Sequence, residues 1–107
     1  MDFEIIFCIV NEGFSEEVMD AARRAGATGG TVLRARGTAN AAAEKAFGIT
    51  VSPQKEIVMM LVKAGLRNDI LHSLYSVMGL DTPGHGIAFS MPVDGIAGLK
   101  IPDADQT

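Results

Sequence analysis

The chain has 107 residues, of which 48% are hydrophobic and 21% charged, and its formal charge is −4. This length and apolar content predict one folded domain and exclude an intrinsically disordered chain. No apolar run approaches the roughly 20 residues of a membrane-spanning helix, so we expect no membrane span. Cys8 is the only cysteine, and the acidic start Met1-Asp2-Phe3-Glu4 is unlike a secretory signal. We therefore expect a reduced, cytoplasmic protein.

The charges are unevenly distributed along the chain. Residues 1–22 hold six acidic side chains and no basic one, whereas residues 23–67 hold eight of the nine basic side chains and two acidic ones. An acidic protein is a poor non-specific ligand for nucleic acid, so we expect no nucleic-acid partner. The basic middle of the chain still suits a small anionic ligand, although such charges can also complement a helix dipole.

The first half of the chain predicts a strand, a helix and a second strand. The apolar run over 3–10 is typical of a buried strand. Apolar residues at helical spacing then predict a helix over about 15–25, with Ser15 as its N-cap and Gly26 just after its end. The alternating segment 31–36 predicts a second strand.

The second half predicts another strand, helix and strand. The almost wholly apolar segment 56–62 indicates a strand, residues 67–78 a helix, and residues 87–91 a strand that Pro92 ends. The order β-α-β-β-α-β is that of the α+β ferredoxin-like fold, a four-stranded antiparallel sheet with both helices on one face. Because the third strand is apolar on both sides, we expect its helix-free face to be covered by association.

Residues 38–55 connect the second predicted strand to the third. A simple hairpin needs only about two to five residues here, and connections this long are mostly functional or disordered in compact domains. We interpret this segment as an arm that contacts a partner. A dispensable insertion is the alternative.

Two glycine-rich turns precede strands of the predicted sheet. Residues 26–30 (GATGG) lead into the second strand and residues 79–86 (GLDTPGHG) into the fourth. Backbone amides in such turns can converge on an anion, although both segments also suit ordinary turns. Neither has the spacing of a P-loop or of the dinucleotide fingerprint. With Arg34 and Arg36 nearby, the two turns predict a site for a small anion.

These segments resemble the PII signal-transduction proteins, most closely their divergent PII-like relatives. The resemblance rests on Gly29-Gly30-Thr31-Val32 with Gly37 following, and on residues 83–93 (PGHGIAFSMPV). The second stretch is similar to the family segment G-D-G-K-I-F-V-x-P-V. The resemblance covers residues 1–101 as one PII-like domain, with the long connection at the place of the family's T-loop and an acidic tail at 102–107.

The resemblance implies a ferredoxin-like homotrimer whose sheets line the interior and whose clefts between subunits bind adenine nucleotides. It implies ADP, ATP or AMP as an effector, no covalent cofactor, and regulation of a target protein, such as a transporter or a metabolic enzyme, in nitrogen regulation. We add two basic residues to the nucleotide-contacting positions that the resemblance implies. Arg36 would contact the phosphates, and Lys100 lies near the place of the family's C-terminal R-x-R. The candidate site is then Gly30, Thr31, Arg36, Gly37, Met60, Gly84, His85, Gly86 and Lys100.

The chain departs from the family pattern at several ligand contacts. Ile87 stands where a phosphate-binding lysine is usual, and the C-terminal R-x-R is absent. The position of the family's loop glutamine, which helps to hold magnesium and 2-oxoglutarate, falls near Ala41, and this chain has no glutamine there. The only tyrosine, Tyr75, lies outside the loop. These departures favour a diphosphate, a monophosphate or another small anion over ATP with 2-oxoglutarate. A regulatory or structural trimer without a ligand is the alternative.

No combination of residues predicts a catalytic or metal site. His72 and His85 are the only histidines, and neither has a cluster of carboxylates or cysteines beside it in sequence. Cys8 is expected in the core, and no serine has His and Asp partners at a recognisable spacing. We therefore expect a protein that is not an enzyme. An RNA-binding module and a small enzyme of the same fold are less favoured alternatives.

Overall fold

A computed structural model describes residues 2–38, 53–79 and 86–98, which contain all six predicted strands and helices. A 3-10 turn over Ala64–Leu66 leads into the second helix. The strands are β1 (Phe3–Asn11), β2 (Thr31–Arg36), β3 (Gln54–Lys63) and β4 (Ile87–Pro92), and the helices are α1 (Ser15–Arg24) and α2 (Arg67–Met78).

The four strands form one antiparallel sheet in the order β2-β3-β1-β4. β1 is central and pairs with β3 along its whole length and with β4 over residues 4–9. β2 pairs only with β3, so β2 and β4 are the edges of the sheet among the described residues. The predicted α+β ferredoxin-like fold is confirmed.

The core lies between the sheet and the two helices. Burial raises the pKa of the Cys8 thiol to about 12, so this side chain stays neutral and packs as a small apolar group. The buried residues come from alternate positions of the central strands and from one side of each helix: Ile6, Cys8, Val10, Val58, Met60, Val62, Val18, Met19, Ala21, Ala22, Ile70, Leu74 and Met78.

Gly26 ends α1 as the sequence predicts. Its backbone φ is +112°, in the left-handed region that favours glycine. The N–H of Gly26 donates to the carbonyl of Arg23, and the N–H of Ala27 donates to that of Ala22, both at 3.0 Å. These two bonds form a Schellman motif, which requires a residue that tolerates positive φ.

The prediction of Ser15 as the N-cap of α1 is wrong. Ser15 is the first helical residue, and no side chain at the cap position, Phe14, bonds to the helix. Glu56 of β3 replaces the cap: its Oε1 accepts hydrogen bonds from the N–H groups of Gly13 at 2.9 Å and Ser15 at 3.3 Å. Because this carboxylate comes from a distant strand, the local sequence around α1 carries no sign of it.

The third strand begins at Gln54, two residues before its predicted start. Gln54 and Lys55 pair with Arg36 and Ala35 of β2, but both are polar and therefore extend no apolar pattern. The predicted arm is shorter by these two residues. Residues 39–52 of the arm and the predicted tail at 102–107 lie outside the described residues.

Candidate functional site

The helix-free face of the sheet is apolar across all four strands. Thr31 is the only polar residue in its three central rows, and the rings of Phe7 and Phe89 stack there with their centroids 5.5 Å apart. Phe89 is 42% exposed and Ile87 59% exposed. The rows are Leu33-Ile57-Ile9-Ile87, Thr31-Met59-Phe7-Phe89 and Leu61-Ile5-Met91. Apolar areas of this extent are typical of interaction surfaces, and we call this one the open face.

The outer edge of β4 presents backbone hydrogen-bonding groups. The N–H of Val93 donates to the carbonyl of Phe3 at 3.1 Å. Because bonding alternates along an antiparallel pair, the N–H and C=O groups of Ala88 and Ser90 point away from β1. The backbone of Pro92 also faces this outer side. Proline has no N–H, but the sheet loses no hydrogen bond here, because the groups on this side point away from β1.

β2 carries two basic residues, Arg34 and Arg36, along the opposite edge of the sheet. The N–H of Gly37 donates to the carbonyl of Pro53 at 2.6 Å, so by the same alternation the backbone groups of Arg34 and Arg36 point outward. Both side chains are exposed and lie on the helix side of the sheet. Neither forms a salt bridge with another described residue.

Gly30 and Gly86, one from each glycine-rich turn, lie at opposite edges of the sheet. Gly30 and Thr31 are at the start of β2, Gly86 precedes β4, and β3 and β1 lie between them. Three strand spacings of about 4.8 Å put the two edges roughly 14 Å apart. One copy of the chain therefore does not bring Gly30 and Gly86 to the same phosphate group.

Gly30 lies where the backbone of β3 comes very close. A Cβ at Gly30 would lie 2.8 Å from the carbonyl oxygen of Met59, 3.0 Å from Met19 Sδ and 3.0 Å from Met60 Cγ. Met60 itself has no exposed surface. Its side chain therefore supports the turn from inside the core, and in this structure it offers a ligand no contact.

We expect Gly30→Ala to destabilise the fold by about 1–3 kcal/mol, because the added methyl group presses on backbone that cannot move aside cheaply. Gly29→Ala is the matched control, since a Cβ at Gly29 has nothing within 4 Å. Urea unfolding of the two variants measures the difference. Equal midpoints would contradict the close approach at Gly30.

Gly86 is also held by close packing. Its N–H donates to the carbonyl of Met78 at the end of α2, at 3.0 Å, and a Cβ would collide with the carbonyl oxygen of Ile9. Both predicted glycines thus have a structural reason for lacking a side chain. That reason does not exclude ligand contacts, because Gly30 and Gly86 are themselves exposed.

Six of the nine predicted site residues lie in the described ranges. Gly30, Thr31, Arg36 and Gly37 follow the β2 edge, Gly86 lies at the β4 edge, and Met60 is in the core. Gly84, His85 and Lys100 lie outside the described residues.

Two surface grooves that the sequence did not predict flank the helices. The groove between α2 and β4 has a volume of about 300 Å³ and is lined by Leu71, Leu74, Tyr75 and Met78 of α2, by Gly79 and by residues 86–88. The groove between α1 and β2 has a volume of about 350 Å³ and is lined by Ser15, Glu16, Met19, Asp20, Arg23 and Val32. Val32 of β2 lies on the helix side of the sheet, and α1 leaves it 45% exposed.

Neither helix of the described ranges has the length and apolar character that crossing a bilayer requires. In the same ranges, no three histidine, cysteine, aspartate or glutamate side chains come together as a metal site.

Comparison with solved structures places this α+β sheet among PII-like folds. A Thermus thermophilus protein described as a PII-like signalling protein matches at 18% identity and a TM-score of 0.62, over 85% of this chain and 88% of that one. Arabidopsis thaliana PII bound to citrate matches at 21% identity and a TM-score of 0.62, over 86% of this chain and 78% of that one.

A DUF3240 family protein from Shewanella baltica matches at 11% identity and a TM-score of 0.68, over 94% of this chain and 99% of that one. No family model matches the sequence, and no curated protein matches it. The chain therefore has the fold of PII-like signalling proteins, and the predicted resemblance is confirmed at the level of the fold.

Proposed function

We propose that this protein is a non-enzymatic, PII-like regulatory homotrimer. It senses a small anion, an adenine nucleotide such as ADP, ATP or AMP, in clefts between subunits. It regulates a partner protein through the arm between β2 and β3. The observation that carries the proposal is the open face. Contact of this apolar surface with water is unfavourable in free energy, and association of copies removes that contact.

The two sheet edges support an assembly of several copies. The edges at β2 and β4 differ in sequence, so contacts between them are heterologous, and heterologous contacts can close into a ring. Such a ring buries the open faces inside. It also brings the Gly30–Thr31 turn of one copy towards Gly86 of the next, which one copy alone does not achieve. The resemblance to PII-like proteins implies three copies.

The proposed ligand site uses Thr31, Arg36 and the turns at Gly30, Gly37 and Gly86, and the predicted Gly84, His85 and Lys100 complete it. Arg36 supplies the charge for a phosphate, and the glycine turns supply backbone amides. We leave Met60 out because its side chain is buried. The citrate in Arabidopsis thaliana PII is a small anion bound by a protein of this fold, which supports this class of ligand.

Native mass spectrometry of the purified protein tests the proposal, with ADP, ATP, AMP and citrate added in separate samples. We expect three subunits and up to three bound nucleotides. Arg36→Ala should weaken nucleotide binding about tenfold to a hundredfold, because it removes a charge-assisted contact worth about 1.5–3 kcal/mol. Arg24→Ala is the control, since Arg24 is an exposed arginine at the end of α1.

A monomer in every sample would contradict the assembly. A trimer that binds none of the four compounds would leave the second candidate function, a regulatory or structural trimer without a ligand. One observation favours this second candidate: Ile87, where the family usually has a phosphate-binding lysine, is exposed and belongs to the apolar open face.

A further inference from the structure

The base of the arm is tied to the turn between β1 and α1. Three consecutive residues of β3 make the contacts, and we call them together with Asn11–Ser15 the turn clamp. The carbonyl of Gln54 accepts from the N–H of Glu12 at 3.1 Å. The Nζ of Lys55 donates to Oδ1 of Asn11 at 2.6 Å, and Glu56 accepts from Gly13 and Ser15.

The clamp holds the turn from both faces of the sheet. Side chains alternate along a strand, so Glu56 lies on the helix side and Lys55 on the open face. The Glu56 carboxylate is half-buried and sits at the N-terminus of α1, where a negative charge is favoured by the helix dipole and by two N–H donors. Its position follows the backbone of β3, so the start of α1 cannot shift without β3.

The other side of the arm base is in contact with the same clamp. Gly37 bonds to Pro53 through its N–H, and a Cβ at Gly37 would lie 3.1 Å from Cε of Lys55. The points where the chain leaves β2 and enters β3 are therefore both within direct contact of clamp residues. Gly37 and Pro53 are thus adjacent to Lys55, which directly precedes Glu56, the residue that accepts from the start of α1.

We propose that Glu56 is a positioning residue that couples the base of the arm to the N-terminus of α1. The coupling extends to the groove between α1 and β2, because Ser15, whose N–H bonds to Glu56, lines that groove. A partner that moves the arm base thus alters this groove, and an occupant of the groove alters the arm base. The coupling concerns the chain itself and holds whatever the ligand of the proposed site is.

Amide hydrogen exchange measured by NMR tests the coupling in both directions, because thermodynamic coupling is reciprocal. Glu56→Ala should speed exchange about tenfold at Gly13 and Ser15, its direct partners, and severalfold at Gly37, which it does not contact. In the reverse direction, Gly37→Ala presses on Lys55 and should speed exchange at Gly13 and Ser15. The N–H of Met60 in the core serves as the reference for loss of global stability.

Two control variants isolate the effect. Glu17→Ala removes an exposed acid from the same helical turn, and Gly29→Ala adds a methyl group with nothing within 4 Å. Both should leave exchange at Gly13, Ser15 and Gly37 unchanged. If Glu56→Ala does not fold, Glu56→Gln, which keeps an acceptor oxygen, should show the same changes at smaller size. Faster exchange at Gly13 and Ser15 with Gly37 unchanged relative to Met60 would overturn the proposal, because Glu56 would then be only a local cap.

Discussion

In the proposed trimer, Phe89→Asp is expected to separate the subunits into monomers. Phe89 lies in the middle row of the open face, stacked on Phe7, so a carboxylate there would be buried in an apolar interface without a partner. An uncompensated buried charge costs about 3–5 kcal/mol, which lowers the association constant more than about a hundredfold at each interface. Sedimentation velocity of the variant and the parent protein measures the change in subunit number.

Tyr75→Asp is the matched control for this prediction. Tyr75 is 72% exposed, more than Phe89, but it lies on α2 and not on the sheet. It should leave the subunit number unchanged, because it lies outside the open face. If Phe89→Asp remains folded by circular dichroism and keeps the parent's mass, the open face is not where the copies meet.

The open face was predictable because the pattern of the third strand is unambiguous. Every residue of β3 from Ile57 to Val62 is apolar, and the even positions alone fill the core, so the odd positions form a second apolar face. The end of α1 was predictable for a similar reason, since Gly26 directly follows the last helical apolar residues. In both places a local pattern determines the structure.

The beginning of α1 was not predictable, because its cap is supplied by tertiary structure. Ser15 fits the statistics of an N-cap, but the side chain that bonds to this end of the helix is Glu56 of β3, which accepts from the N–H groups of Gly13 and Ser15 across 41 to 43 positions of the chain. The same limit applies to the candidate site. The sequence identified the two glycine turns, but their separation follows from the strand order, which puts β2 and β4 at opposite edges.

Sequence alone also cannot tell why a glycine is present. Gly30 and Gly86 were both interpreted as turns that approach an anion. The structure shows that each packs against a backbone carbonyl of a neighbouring strand, Met59 for the first and Ile9 for the second. A position can require glycine because another backbone segment packs close to it or because a ligand does, and the sequence shows the same residue in both cases.

Gly86→Ala is therefore expected to be strongly destabilising, by about 3 kcal/mol in the free energy of unfolding. Its methyl group would collide with the carbonyl oxygen of Ile9, a main-chain atom of the central strand that cannot rotate away as a side chain could. Gly95→Ala is the control, because a Cβ there has nothing within 4 Å. Urea unfolding should show a lower midpoint for Gly86→Ala alone, with an unchanged slope.

Nucleotide affinity measured on the same two variants separates packing from ligand contact as the reason for the glycine. If packing is the reason, Gly86→Ala lowers the free energy of unfolding at every nucleotide concentration. The nucleotide affinity of the variant then changes only to the extent that β4 moves relative to β1. An unchanged urea midpoint with lost nucleotide binding would contradict the packing argument. Such a result would instead indicate that Gly86 is required for contact with the ligand. An added methyl group that blocks binding without disturbing the neighbouring strand would have to face the bound anion.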